Sequence, residues 1–157
     1  MSKSKWFIAI LSLSLISILF VSCTGADDQT SKAWVEITCD EFSNNNHFNQ
    51  ALEVRAGETF EVKLCSNPTT GFQWSEDSQI SDTTVIQQDN HEFVSPESEP
   101  PPPPGTPGQE IWTFNALKQG SSIIYLEYSR PWEGGEKGEW TLTLDVIVKY
   151  LNYKISN

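Results

Sequence analysis

Short runs of alternating apolar and polar residues, turn-forming clusters between them, and no sustained 3.6-residue apolar period together predict an all-β chain. The expected architecture is an immunoglobulin-like antiparallel β-sandwich of seven to eight strands. Alternation is clearest at Phe60, Val62 and Leu64, interleaved with Glu61 and Lys63. It recurs at Trp140, Leu142, Leu144, Val146 and Val148, interleaved with Thr141, Thr143, Asp145 and Lys149. From the amino end, strands are expected at 34–38, 52–54, 60–64, 72–74, 83–88, 110–117, 122–128 and 140–148. Between them lie Ala56-Gly57-Glu58, Asn67-Pro68, Lys118-Gln119-Gly120 and Gly134-Gly135, each a turn signal. Helix content should be very low. The paired-cysteine and tryptophan spacing of a true immunoglobulin domain is missing, so the alternation sets the class and leaves the strand order open.

The first 22 residues stand apart from the fold. Lys3 and Lys5 precede an apolar run from Trp6 to Val21, interrupted only by serines, which reads as an export signal. At about 16 residues the run is shorter than the roughly 20 that span a bilayer as a helix. Phe20-Val21-Ser22-Cys23 looks like a bacterial lipobox with phenylalanine where leucine is usual. In that reading Cys23 takes lipid, and its acyl chains hold the protein at a membrane face. The alternative is an ordinary cleaved signal and a secreted protein. Either way the expected location is outside the cytoplasm, as a cell-surface or periplasmic lipoprotein or as a secreted domain. Residues 23–32 form a polar, acidic tether expected to be flexible, and 33–152 form one domain.

Charge and cysteines narrow the function classes. Ten basic residues, less the two in the signal, against 21 acidic ones leave the mature chain at −13. Such a surface repels nucleic acid and favours solubility or steering toward basic partners. Cys39 and Cys65 are either a disulfide, expected in an exported domain, or two buried free thiols. A disulfide there stabilises by about 3 to 4 kcal/mol in the chain-entropy model. His47 and His91 lie in polar, loop-like sequence away from ligand spacing to any cysteine, so no metal and no cofactor is expected. No cysteine is paired with a plausible histidine and no nucleophile motif is present. Glu97 and Glu99 fall in a proline-rich stretch without a scaffold to shift their pKa values. An enzyme is not expected.

The 88–108 segment holds Pro100 to Pro104 followed by Gly105-Thr106-Pro107-Gly108, and a loop this long is functional or disordered. Five prolines make about 15 Å of polyproline II strut. A docking site for a proline-binding module is the competing reading, though such modules act mainly inside cells.

Two stiff peptides carry the chemistry. In Asn67-Pro68-Thr69-Thr70-Gly71, proline fixes one backbone angle, Gly71 admits a positive φ, and the threonines are β-branched. The result is a narrow bump whose backbone can approach the floor of a cleft, or simply a turn joining two strands. Arg130-Pro131-Trp132-Glu133-Gly134-Gly135 sets an arginine, a rigid proline and an indole between two alternating strands. Arginine and tryptophan are enriched at binding hot spots. Trp132 is either such an anchor or a cap folded over the end of the core. Trp34, Trp74, Trp112 and Trp140 lie within strand-like runs and read as core or sheet-face aromatics.

From about Val54 to Val148 these motifs resemble the chagasin-type inhibitors of papain-like cysteine proteases. The resemblance is carried by Asn67-Pro68-Thr69-Thr70-Gly71 with Phe72 and Trp74 behind it, and by Arg130-Pro131-Trp132-Glu133 with the closing strand. It implies three loops at one end of a sandwich that enter the protease cleft, giving reversible, tight-binding inhibition. Thr69 and Thr70 would cover the catalytic cysteine and histidine. Arg130 and Trp132 would lie along the primed side, with the indole on an aromatic wall of the enzyme. Gly105-Thr106-Pro107-Gly108 occupies the place of the third loop, with Pro107 where the family has glycine. The implied partner is a papain-like cysteine protease, met by a monomer. The alternative is a surface adhesion or carbohydrate-binding sandwich, for which exposed aromatics also serve.

Overall fold

The computed structural model describes residues 32–96 and 100–150. The expected export signal, Cys23, the tether except Lys32, and Glu97 and Glu99 lie outside the described residues. Lys32 pairs with Glu61 at 2.6 Å.

Two sheets make the fold. The first holds β1 (Ala33–Ile37), β3 (Thr59–Ser66), β7 (Gly108–Ala116) and β6 (Ile86–Val94), in the spatial order β1-β3-β7-β6. The second holds β2 (His47–Arg55), β9 (Trp140–Lys149), β8 (Gly120–Ser129) and β4 (Gln73–Trp74) in the order β2-β9-β8-β4, with β5 (Gln79–Ile80) also paired to β8. The central strands bury alternate residues because each has one face on the core. Phe60, Val62, Leu64, Trp112 and Phe114 from one sheet meet Ile124, Leu126, Leu142, Leu144 and Val146 from the other, all fully buried. Burying each of these side chains contributes about 1.5 to 3 kcal/mol. Trp74 and Trp112 are core residues, Trp140 packs at the core's margin, and Trp34 is exposed on the outer face of β1.

The β-sandwich is as the alternation predicts, with two strand pairings that differ from it. β1 pairs with β3, and β2 with β9, in parallel rather than antiparallel register. After β1 the chain crosses to the other sheet as β2 and only then returns as β3. That detour supplies the crossover a parallel pair needs.

Two strands depart from the expected boundaries for one reason. β2 and β6 are edge strands, so much of each faces solvent and the apolar alternation is weak. Both are nine residues long, and β6 runs well into the stretch expected to be loop. His47 and His91 are therefore strand residues rather than loop residues. A register shift between Gln88 and Asn90 bends β6, a device that blunts exposed edges. A six-residue helix, α1 (Cys39–Asn44), was not expected, being too short to show a helical period. Its signal is the capping box Thr38-x-x-Glu41. Hydrogen bonds from the Thr38 amide and hydroxyl hold the Glu41 carboxyl below the ordinary carboxylate range.

α1 is tied down twice. Cys39 forms a disulfide with Cys65 at the end of β3. Phe42 stacks on Trp140 with ring centres 5.1 Å apart and meets Tyr128 edge-on at 5.2 Å. Phe72 adds to the same cluster, stacked on Tyr128 at 5.6 Å.

The disulfide spans a separation of 26 residues, so the chain-entropy model assigns it about 3 to 4 kcal/mol. Urea denaturation of Cys39→Ser should therefore show a loss of that order in unfolding free energy. An unchanged midpoint would contradict the assignment.

Candidate functional site

The first tip leaves β3 at Ser66 and is organised by the next residue. Asn67 caps a single turn of 3-10 helix, Pro68–Thr70. Its Oδ1 accepts from the Thr69 amide at 3.3 Å and the Thr69 hydroxyl at 2.7 Å. The Asn67 carbonyl accepts from the Thr70 hydroxyl at 2.7 Å. Gly71 closes the turn at φ +81°, a left-handed conformation that costs any other L-residue about 1 to 2 kcal/mol. Pro68, Thr69 and Thr70 are exposed. Both threonine hydroxyls donate to Asn67, and the Thr70 oxygen accepts from the Phe72 amide at 3.3 Å.

Buried groups hold the base of this tip. The Asn67 amide donates to the Tyr128 hydroxyl at 3.0 Å. Glu110, 4% exposed, accepts from the Ser66 hydroxyl at 2.6 Å before the tip and from the Trp74 amide at 3.4 Å after it. The other Glu110 oxygen lies 2.8 Å from Nε2 of His91, whose ring stacks on Trp112. A buried carboxylate needs such partners, and here they are the two legs of the loop and the imidazole. The roles of Glu110, His91 and Tyr128 were missed in the sequence. A lone acidic residue at the start of an apolar strand was the available signal for Glu110.

The second tip joins β8 to β9. The Arg130 amide donates to the Glu136 carbonyl at 2.9 Å and the Gly135 amide to the Trp132 carbonyl at 3.1 Å. Lys137 Nζ donates to the Arg130 carbonyl. Gly134 has φ +76°, and a Cβ on Gly135 would come within 2.7 Å of the Arg130 Cβ. The tight reversal therefore requires both glycines. Pro131 and Glu133 are exposed, and Trp132 is 51% exposed. The indole does not fold into the core.

The third tip turns at Pro103, whose carbonyl accepts from the Thr106 amide at 3.2 Å and the Thr106 hydroxyl at 2.7 Å. Gly105 sits at φ +88°. Gly105, Thr106 and Pro107 are exposed, but Gly108 is the buried first residue of β7, paired with Ser66. A Cβ there would lie 2.5 Å from the Val94 carbonyl oxygen. Gly108 is thus a packing glycine and offers no surface to a partner, contrary to its expected place in the tip.

The three tips touch. Asn67 Nδ2 donates to the Gly105 carbonyl at 2.8 Å, which joins the first tip to the third. The Trp132 ring lies over Gly71, where an added Cβ would be 2.9 Å from Cη2, and this joins the first tip to the second. Asn67, Thr69, Thr70, Gly105, Arg130 and Trp132 therefore share one end of the molecule. Among the described residues no group of three or more histidine, cysteine or acidic side chains is placed to hold a metal.

Gly71→Ala should strain the turn and push the indole off its seat, lowering stability by about 1 to 2 kcal/mol. A Trp132 indole N–H resonance that does not shift in the variant would contradict the contact.

Residues 53–146 match the family model described as Chagasin family peptidase inhibitor. The chain is 31% identical over 98 residues to Amoebiasin-2 of Entamoeba histolytica, a match covering 62% of this chain and 76% of that protein. It is 32% identical over 92 residues to Chagasin of Trypanosoma cruzi, covering 56% and 79% of the two chains. The crystal structure of a cysteine protease inhibitor from Entamoeba histolytica superposes with a TM-score of 0.56 at 25% identity, over 76% of this chain and 98% of that one. The matched family segment takes in all three tips and the strands that carry them. The chain belongs to the chagasin family of peptidase inhibitors and is not an enzyme.

Proposed function

We infer that this protein is a reversible, tight-binding inhibitor of papain-like cysteine proteases that closes the active-site cleft with its three adjoining tips. The observation that carries this reading is their direct contact at one end of the sandwich, with Pro68, Thr69, Thr70 and Trp132 turned outward. The narrow 67–71 tip enters deepest, because its small side chains let backbone approach the catalytic cysteine and histidine. Pro131, Trp132 and Glu133 of the second tip cover the primed side, with the indole packed on an aromatic wall. Gly105, Thr106 and Pro107 face the unprimed side, where Pro107 stands in place of the family's usual glycine and alters that contact.

No bond is made or broken in this mechanism. Affinity comes from burying a standard interface of about 800 Å² per partner with little conformational entropy lost, since the tips are already ordered. The protein acts as a monomer outside the cytoplasm. The apolar run before Cys23 supports export, and the Ser22-Cys23 pair supports a lipid anchor.

Titrating papain and a cathepsin-type protease with the protein should give steady-state inhibition at nanomolar concentrations. No effect at micromolar concentrations would favour the adhesion reading instead. Trp132→Ala should raise the inhibition constant about 30-fold, equivalent to about 2 kcal/mol. An unchanged constant in a folded variant would remove the indole from the anchor role.

A further inference from the structure

Arg130 belongs to the exposed second tip, yet its side chain, 37% exposed, packs on neighbouring rings. Its guanidinium carbon lies 4.6 Å from the centre of the Phe72 ring and 5.8 Å from the Trp132 ring. One terminal nitrogen pairs with Glu136 at 3.2 Å. Nε is buried without a hydrogen-bond partner among the described residues, as an edge covered by packing rather than one directed to solvent. Gly135 lies against the base of this side chain, where an added Cβ would come within 2.7 Å of the Arg130 Cβ. Phe72 is fixed in turn by Tyr128 and Trp140, with ring centres 5.6 Å away from each.

We propose that Arg130 is a positioning residue: its guanidinium couples the Phe72 ring to the Trp132 indole and thereby seats the indole over Gly71 in its binding orientation. A planar, delocalised cation suits this place because it stacks on aromatic faces while its edge keeps an ion pair, which an ammonium does not do. Glu136 holds the guanidinium plane and Gly71 supplies the seat. Arg130 then acts through Trp132, and the charge itself makes no contact with the protease. The inference deepens the inhibitor reading and rests on it.

Two measurements separate the inference from that reading. In the free protein, Arg130→Ala and Arg130→Lys should both shift the Trp132 indole N–H resonance, assigned by its loss in Trp132→Phe. A resonance that stays in place in both variants overturns the seat, whatever the protein inhibits. In a double-mutant cycle against papain, Arg130→Ala alone should weaken inhibition about fivefold, the scale of one exposed cation–π contact. The Arg130→Ala, Trp132→Ala double variant should be no weaker than Trp132→Ala alone. If the two losses multiply, Arg130 touches the protease independently and the positioning role is overturned. If Trp132→Ala costs nothing while the resonance still shifts, the seat stands as a structural fact, its role in binding is overturned, and the anchor reading of the tip fails with it.

Discussion

Asn67 links the core, its own turn and another loop through groups on one residue. Its amide N–H reaches the Tyr128 hydroxyl in the core, its carbonyl and Oδ1 hold the two threonines, and its Nδ2 reaches across to Gly105 of another loop. Each such bond contributes only about 1 kcal/mol net to folding. Their effect on shape is larger, because they leave the first tip one arrangement and bring the third tip to it. An aspartate could cap the turn as well, but it has no N–H to give Gly105. The asparagine is therefore what turns two separate strand connections into one surface.

The frame beneath that surface has the same character. Glu110 holds both legs of the first tip from inside the first sheet, and Tyr128 holds it from the second. Phe42, Phe72, Trp74, Tyr128 and Trp140 make an aromatic layer under the tips. The Cys39–Cys65 disulfide fastens α1 two residues before Asn67. Loops built this way bind at low entropic cost, since ordering a free side chain on binding costs about 0.5 to 1.5 kcal/mol. A cleft-blocking inhibitor needs that economy because it forms no covalent bond to its target.

Much of this was legible in the residues. The central strands β3, β7, β8 and β9 announce themselves by alternation, because one face of each meets the core. The second tip stands out because Arg-Pro-Trp exceeds what a simple turn requires, whereas Asn-Pro-Thr-Thr-Gly alone also reads as a strand connection and takes its meaning from the family resemblance. The edge strands β2 and β6 were only partly visible, since a strand paired on one side can be polar along most of its length. α1 was hidden by its brevity. Gly108 was misplaced because a glycine required by close packing against Val94 and Phe93 is indistinguishable, in sequence, from one required by a turn. Periodicity also carries no strand order, so the meeting of residues 67, 105 and 132 was expected from the family resemblance alone and acquires its physical reason once β3, β7 and β8 take their places.

Binding is thus assigned to one preassembled face made of three touching tips. Hydrogen–deuterium exchange of the inhibitor with and without papain tests this most directly. Added protection is expected at 67–72, 103–107 and 130–136, with the outer faces of both sheets and the β2 and β6 edges unchanged. Protection centred on a sheet face or an edge strand, with the tips exchanging as in the free protein, would contradict it.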